Sequence, residues 1–169
     1  MRFVVDVMLG RLARWLRILG FDAVYLRDAR DDTLIRLAED EERVLLTKDA
    51  RLLQRVRVNG YLVRSRTWED QLREVITEFQ LQPLIDAFSR CLECNVPLTE
   101  VEKETIANRL PPRVTECCQE FYLCPSCQRI YWSGTHVERM SEKIASLLRE
   151  VSEAAGEHEP CSHDSPERR

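Results

Sequence analysis

The sequence predicts an α/β fold, a parallel β-sheet flanked by helices, followed by a small cysteine-clamped module. Two observations carry that expectation. Strand-like and helix-like patterns alternate from Arg2 to Gln80, and successive parallel strands require helical crossovers between them. Beyond them stand two matched pairs, Cys91-Leu92-Glu93-Cys94 and Cys124-Pro125-Ser126-Cys127. The length of 169 residues, with 44% hydrophobic and 32% charged, suits one globular domain plus a small module with a real core.

Each element has its own warrant. Arg2–Val7 is a short apolar run with one carboxylate, Asp6, near its end, the pattern of a buried strand. Residues 8–19 follow with helical period: Leu9, Leu12, Leu16 and Leu19 form an apolar stripe, while Arg11, Arg14 and Arg17 recur at intervals of three. Gly20 stops this helix and Phe21-Asp22 begin the turn. Ala23–Leu26 reads as the second strand. Asp31-Asp32 open a helix over Thr33–Glu42, since acidic side chains favour a first turn. Val44–Thr47 is the third strand and delivers Lys48-Asp49 into the next loop. A helix over Ala50–Arg57, a strand over Tyr61–Val63 and a helix over Trp68–Gln80 complete the alternation. Residues 137–151 read as a closing helix, and the polar stretch Ser152–Arg169 has no apolar period, which predicts disorder.

That topology gives the carboxylates their interest. In open parallel sheets the working crevice lies at the carboxyl ends of the strands. Asp6 ends the first strand, Asp49 follows the third, and Asp31 and Asp32 start the helix after the second. Carboxylates converging on one edge repel unless a cation joins them, and oxygen-rich clusters are what Mg²⁺ or Mn²⁺ selects. The alternative for each is local: Asp6, Asp31 or Asp32 as a helix cap, Asp49 as a turn residue.

Charge is unevenly divided. Residues 1–66 hold 14 Lys/Arg against 10 Asp/Glu, whereas the chain as a whole carries a net charge of −4. An arginine-rich half in an acidic chain points to a local anionic partner, or to a solvated, ion-paired surface. Arg11, Arg14 and Arg17, beside Asp6, offer a phosphate-holding surface, unless they snorkel over the sheet.

Two residues between paired thiolates let one turn aim both sulfurs at a single ion, and a second such turn closes a tetrahedral four-sulfur site. Cys91, Cys94, Cys124 and Cys127 therefore predict one structural zinc per chain. Met1–Asp6 shows no basic-then-apolar leader, and no apolar run approaches membrane-spanning length. The expectation is a cytoplasmic protein with reduced thiols and no membrane partner, where cysteine clusters mean metal or catalysis. Cys117, Cys118 and Cys161 are left over, and a ligand swap with the adjacent Cys117-Cys118 is open. His136 is not needed as a ligand. His158, Cys161 and His163 form a weak metal pattern in the tail.

Asp6 with Met8–Arg17, then Asp31-Asp32, then Leu45-Leu46-Thr47-Lys48-Asp49, together resemble the Mut-seven C-terminal RNase domain family. So do Phe88–Asn95, Tyr122–Trp132, Gly134-Thr135-His136 and Arg139-Met140, and the likeness spans roughly residues 1–145. The resemblance implies a PIN-like nuclease fold followed by a zinc ribbon. It further implies a metal-dependent ribonuclease acting on RNA, whose acids bind Mg²⁺ or Mn²⁺. Asp6 and Asp49 match the family's first and third acids, and the register of Leu34–Ala38 favours Asp31 over Asp32 for the second. Lys48, the basic residue of the Thr-basic-Asp string, joins Arg11, Arg14 and Arg17 as an expected substrate contact. Arg51 stands two residues after Asp49, where related short PIN-like proteins often carry another Asp, so the acid set is lean.

The expected organisation is a PIN-like domain over 1–82, a zinc ribbon with closing helix over 83–145, and a tail over 146–169. Phe121, Tyr122, Tyr131 and Trp132 around the second cysteine pair either pack the ribbon or stack on bases. Two functions follow. One is a ribonuclease with Asp6, Asp31 and Asp49 at its centre. The other is a non-catalytic RNA- or protein-binding adaptor on a depleted scaffold.

Overall fold

Strand β1 (Arg2–Val5) lies in the middle of a four-stranded sheet, paired in parallel with β2 (Asp22–Tyr25) and β3 (Val44–Thr47). Strand β4 (Gly60–Leu62) adds to β3, giving the order β2-β1-β3-β4. This is a computed structural model, which describes residues 1–57 and 59–156. The side chains of 154–156 and all of 157–169, with His158, Cys161 and His163, lie outside the described residues.

The sheet is covered on both faces, which is why its strands are apolar runs rather than alternating ones. Phe3, Val5, Val44 and Leu46 face a core built with α1 (Gly10–Ile18) and α4 (Trp68–Glu78). Val4 and Leu45 face Leu34, Ala38 and Leu52 of α2 (Asp31–Asp40) and α3 (Ala50–Leu53). A one-residue alternation along each strand thus feeds two cores.

Differences from the expected elements have local causes. Asp6 leaves β1, and a 3₁₀ turn over Val7–Leu9 precedes α1, so the helix starts at Gly10 rather than residue 8. A Cβ at Gly10 would lie 2.8 Å from the Tyr25 hydroxyl, so glycine there lets the Tyr25 ring close on the helix start. Gly20, at φ +92°, is in the left-handed region and turns the chain after α1. α2 begins on Asp31, and α3 stops at Leu53, four residues before the expected end.

The second half builds its own antiparallel sheet, β5 (Thr99–Glu100), β6 (Phe121–Leu123) and β7 (Ile130–Trp132), in that order. The segment between the cysteine pairs holds two short helices, α5 (Lys103–Ile106) and α6 (Pro112–Cys117). Ile106, Cys118 and Phe121 form a small core there, with Ile130 and Trp132 packed against it. The closing helix, α7 (Thr135–Gly156), corrects the expected tail: residues 146–156 are helical. Ile144, Leu147 and Val151 recur on one face and join the first core, against α4. Burial of that stripe holds the helix together past the point where its local sequence turns polar. Among the described residues no helix is long and apolar enough to cross a membrane.

Candidate active site and metal centre

The chain leaves β1 toward β2 and leaves β3 toward β4, so strand order reverses between β1 and β3. A crevice forms outside the carboxyl ends at such a switch point, and Asp6 stands there. It is only 6% exposed, its backbone N–H donates to the Leu46 carbonyl at 3.0 Å, and its Oδ2 accepts from Thr47 Oγ1 at 2.5 Å. Its side chain caps nothing: the turn that follows draws no hydrogen bond from it. A buried carboxylate without a capping duty is costly unless something else uses it.

Thr47 is the residue that sequence reasoning passed over. Its one hydroxyl proton goes to Asp6, and its oxygen accepts the Asp49 N–H at 3.0 Å, so a single side chain joins the first and third acids. Asp49 is exposed, and its Oδ1 accepts from the N–H of Arg51 (2.7 Å) and Leu52 (3.4 Å), capping α3. The capping and functional readings of Asp49 are compatible, since Oδ2 is left over. Its signals were its place in the Thr-basic-Asp string and at the end of a buried strand, and a threonine there reads equally well as a β-former.

Asp31 and Asp32 stand apart. They sit in the first turn of α2, 56% and 72% exposed, and both pair with Arg55, Asp31 at 3.2 Å. Among the described residues, no three carboxylates have donor atoms within 4.8 Å of one another. The donor chemistry still suits a hard cation: Asp6 and Asp49 each keep one carboxylate oxygen free of hydrogen bonds, and both are oxygen donors of the kind Mg²⁺ and Mn²⁺ prefer.

The basic residues divide. Arg11 and Arg14 are exposed on α1, with the Arg11 guanidinium 5.3 Å from the centre of the Trp68 ring. Lys48 is half-buried and donates to the Ser65 carbonyl at 2.7 Å. Arg17 is a correction. It is 8% exposed and donates from Nε to the Ala23 carbonyl at 2.8 Å, and from Nη1 to those of Leu92 (2.8 Å) and Glu93 (3.1 Å). Its position on the α1 stripe faces the core, so this guanidinium braces the fold. Burial lowers its pKa, against the raising effect of Glu93 and the nearby thiols.

Cys91, Cys94, Cys124 and Cys127 are the group of ligand side chains that the fold does gather, all sulfurs within 4.8 Å of one another. Two equivalent turns build it. Asn95 and Gln128, directly after each pair, adopt positive φ (62° and 60°), and their N–H groups donate back to the carbonyls of Cys91 and Cys124 at 3.0 and 2.9 Å. Cys94 and Cys127 N–H then point to the sulfurs of Cys91 and Cys124 at 3.4 Å, as charged thiolates require. Burial pushes the Cys91 thiol up, but hydrogen bonds from the Tyr131 hydroxyl and from backbone N–H groups outweigh it and bring it down to about 6. Four sulfurs in this arrangement can hold zinc in a closed tetrahedral site. Cys117 and Cys118 lie outside the cluster, Cys118 donating to the Ser133 carbonyl. His136 is exposed and also outside. Tyr131 and Phe121 are structural, the first on Cys91 and the Leu92 N–H, the second fully buried.

The first cysteine turn is docked on the sheet. Asn95 accepts the Ala23 N–H at 3.0 Å and donates to Asp22 at 2.6 Å, while Arg17 takes the Ala23 carbonyl. The outward backbone groups of Ala23 on edge strand β2 are thereby satisfied, which blocks further pairing at that point of the edge. Asp22 pairs in register with Arg2, and Tyr25 with Val5. At about 3.3 Å per residue the dock therefore stands roughly 13 Å from the level of Asp6 along the strands. The sulfur site and the acid site are at opposite ends of the sheet.

No curated protein and no solved structure matches the chain. The Mut7-C RNAse domain model matches residues 1–144, taking in the acids of the sheet edge and both cysteine pairs, and the chain belongs to that family.

Proposed function

We propose that this protein is a metal-dependent ribonuclease that cleaves RNA phosphodiesters by water attack, with Asp6, Asp31 and Asp49 holding Mg²⁺ or Mn²⁺ and the four cysteines holding one structural zinc. The observation that carries this reading is Asp6, a buried, cap-free carboxylate at the sheet's switch point, tied through Thr47 to Asp49. Bound there, the cation would polarise the phosphoryl oxygens and favour an activated water. The chain's own part is positional. Thr47 fixes the Asp6 carboxylate by donating to Oδ2, and Asp49 is oriented by the α3 N–H groups. Arg14 and Lys48 offer donors to the phosphates on either side. The body that does this comprises residues 1–82 together with α7, and the ribbon over 83–134 holds its β2 edge.

One observation favours the adaptor reading: Arg55 already neutralises Asp31 and Asp32, so the second acid must exchange a partner before it can join a cation. Labelled RNA incubated with and without Mn²⁺, beside Asp6→Asn, separates the two. The nuclease reading expects cleavage that needs Mn²⁺ and disappears in the variant while its melting temperature holds. Cleavage that is indifferent to Asp6→Asn, or no cleavage across several RNAs, sinks it.

A further inference from the structure

Between the connection from β1 to α1 and the connection from β4 to α4 lies a cleft of about 440 Å³, lined in part by Leu9, whose N–H donates to the Asp6 carbonyl at 2.9 Å. Met8, two residues after Asp6 and 68% exposed, lines it, together with Arg11 from α1 and Arg66 from the loop before α4. Trp68 forms part of the lining, its ring stacked on Trp15 at 4.7 Å and so held in one orientation. Glu69 also lines the cleft, but its charge is met by Lys143 at 3.2 Å. Among the described residues the Arg66 guanidinium makes no ion pair or hydrogen bond to protein.

The loop that carries Arg66 is unusually well held. Gln71, only 7% exposed, donates to the carbonyls of Ser65 and Arg66, both at 3.2 Å. Lys48 donates to the same Ser65 carbonyl. Glu74 accepts the N–H groups of Arg64 and Ser65, both at 2.9 Å. Three polar side chains thus fix three residues of backbone, Arg64 to Arg66, in a surface loop, while the guanidinium they present stays free. A fixed backbone with an unpaired guanidinium is how binding residues are preorganised. Lys48 couples that loop to the Thr47–Asp49 string of the acid site.

We propose that this cleft receives one nucleotide of single-stranded RNA next to the scissile phosphodiester, with Arg11 and Arg66 on its backbone phosphate and Met8 against its base. The inference rests on the nuclease reading for its ligand. The volume falls in the range of small-ligand clefts, roughly 300–1,000 Å³, which admits a single splayed nucleotide but not a paired duplex, whose bases stay stacked inside the helix. Guanidinium groups from two walls match the bidentate demands of a phosphate.

The test is fluorescence anisotropy with a labelled ten-nucleotide single-stranded RNA and the zinc-loaded full chain, with no Mg²⁺ or Mn²⁺ added, so that binding is read apart from cleavage. Arg11→Ala and Arg66→Ala are each expected to weaken binding roughly ten-fold. Each should also flatten the dependence of log K on log salt by about 0.7. Arg36→Ala, on exposed α2 at the opposite face of the sheet, is the control and should change binding less than two-fold. A duplex of the same length should bind more weakly. Binding whose strength and salt slope ignore both cleft arginines overturns the inference, as do preference for the duplex and absence of RNA binding. Arg66-dependent binding without cleavage in Mn²⁺ leaves the cleft standing and removes the nuclease reading alone.

Discussion

Replacing Arg17 by alanine distinguishes a structural guanidinium from a substrate contact. Three hydrogen bonds disappear: those to the carbonyls of Ala23, Leu92 and Glu93, at 2.8, 2.8 and 3.1 Å. A hydrogen bond involving a charged group is worth about 1.5–3 kcal/mol net. The 3.1 Å bond lies at the weak end, and the loss of a costly buried charge offsets part of the total. The expected destabilisation is therefore about 3–5 kcal/mol. In a chain of this size each kcal/mol moves the melting temperature by roughly 2–4 °C, so thermal unfolding should drop by about 6–20 °C. Arg14→Ala, exposed on the same helix, should stay within about 0.5 kcal/mol. The Arg17 bonds reach the first cysteine turn, so the variant should also release zinc faster to a colorimetric chelator. Arg17→Lys should fall between, because one ammonium cannot reproduce a fork that serves both sides of the turn. An Arg17→Ala protein that melts with the native chain yet loses RNA binding would refute the brace and restore the substrate role.

Metal analysis should find one zinc per chain, falling in Cys94→Ser and Cys127→Ser, and chelation should unfold the ribbon because a module this small depends on its metal; full zinc content in both variants would contradict the four-sulfur site. Burial raises the Asp22 carboxyl, but hydrogen bonds from Arg43 and Asn95 outweigh it and hold it below its ordinary value. A depressed folded pKa gives stability that is present above the unfolded value, near 4, and is lost as pH falls through the folded one. Asp22→Asn should therefore cost melting temperature at pH 7 and shrink the gap from the native chain below pH 4; a gap constant from pH 7 to pH 3 would contradict the linkage. Thr47→Val removes the bond to Asp6 at the cost of about 1–2 kcal/mol and should slow Mn²⁺-dependent cleavage more than ten-fold; unchanged turnover would show that Asp6 needs no orienting partner. Arg55→Ala frees Asp31 and Asp32 and should lower the Mn²⁺ concentration needed for half-maximal cleavage, whereas no change would take α2 out of the metal site.

Much of this arrangement was legible from local chemistry. The alternation of apolar strands with amphipathic helices follows from backbone periodicity, which needs no knowledge of contacts. The cysteine turns were legible for the same reason: the two-residue spacing between thiols is a local geometric device, to which the structure adds the positive φ of Asn95 and Gln128 and the N–H groups aimed at the sulfurs. The acids at strand ends were legible in position, because topology alone brings the ends of parallel strands to one edge.

Other features depend on partners distant along the chain. Arg11, Arg14 and Arg17 look alike at intervals of three, yet only Arg17 turns to the core, where its partners lie 75 and 76 residues away. α7 carries its stripe of Ile144, Leu147 and Val151 onto the first core against α4, a partner more than sixty residues away that no local pattern specifies. Thr47 looked like a strand residue, and only the pairing of β3 with β1 set its hydroxyl between Asp6 and Asp49. The residues of the chain thus determined its elements, its sulfur site and the candidate acids, since spacing and periodicity are properties of neighbours. Tertiary structure alone decided which arginine is structural, which acids are joined and where the cleft opens, because burial and hydrogen bonding are settled between segments that meet only when the chain is folded.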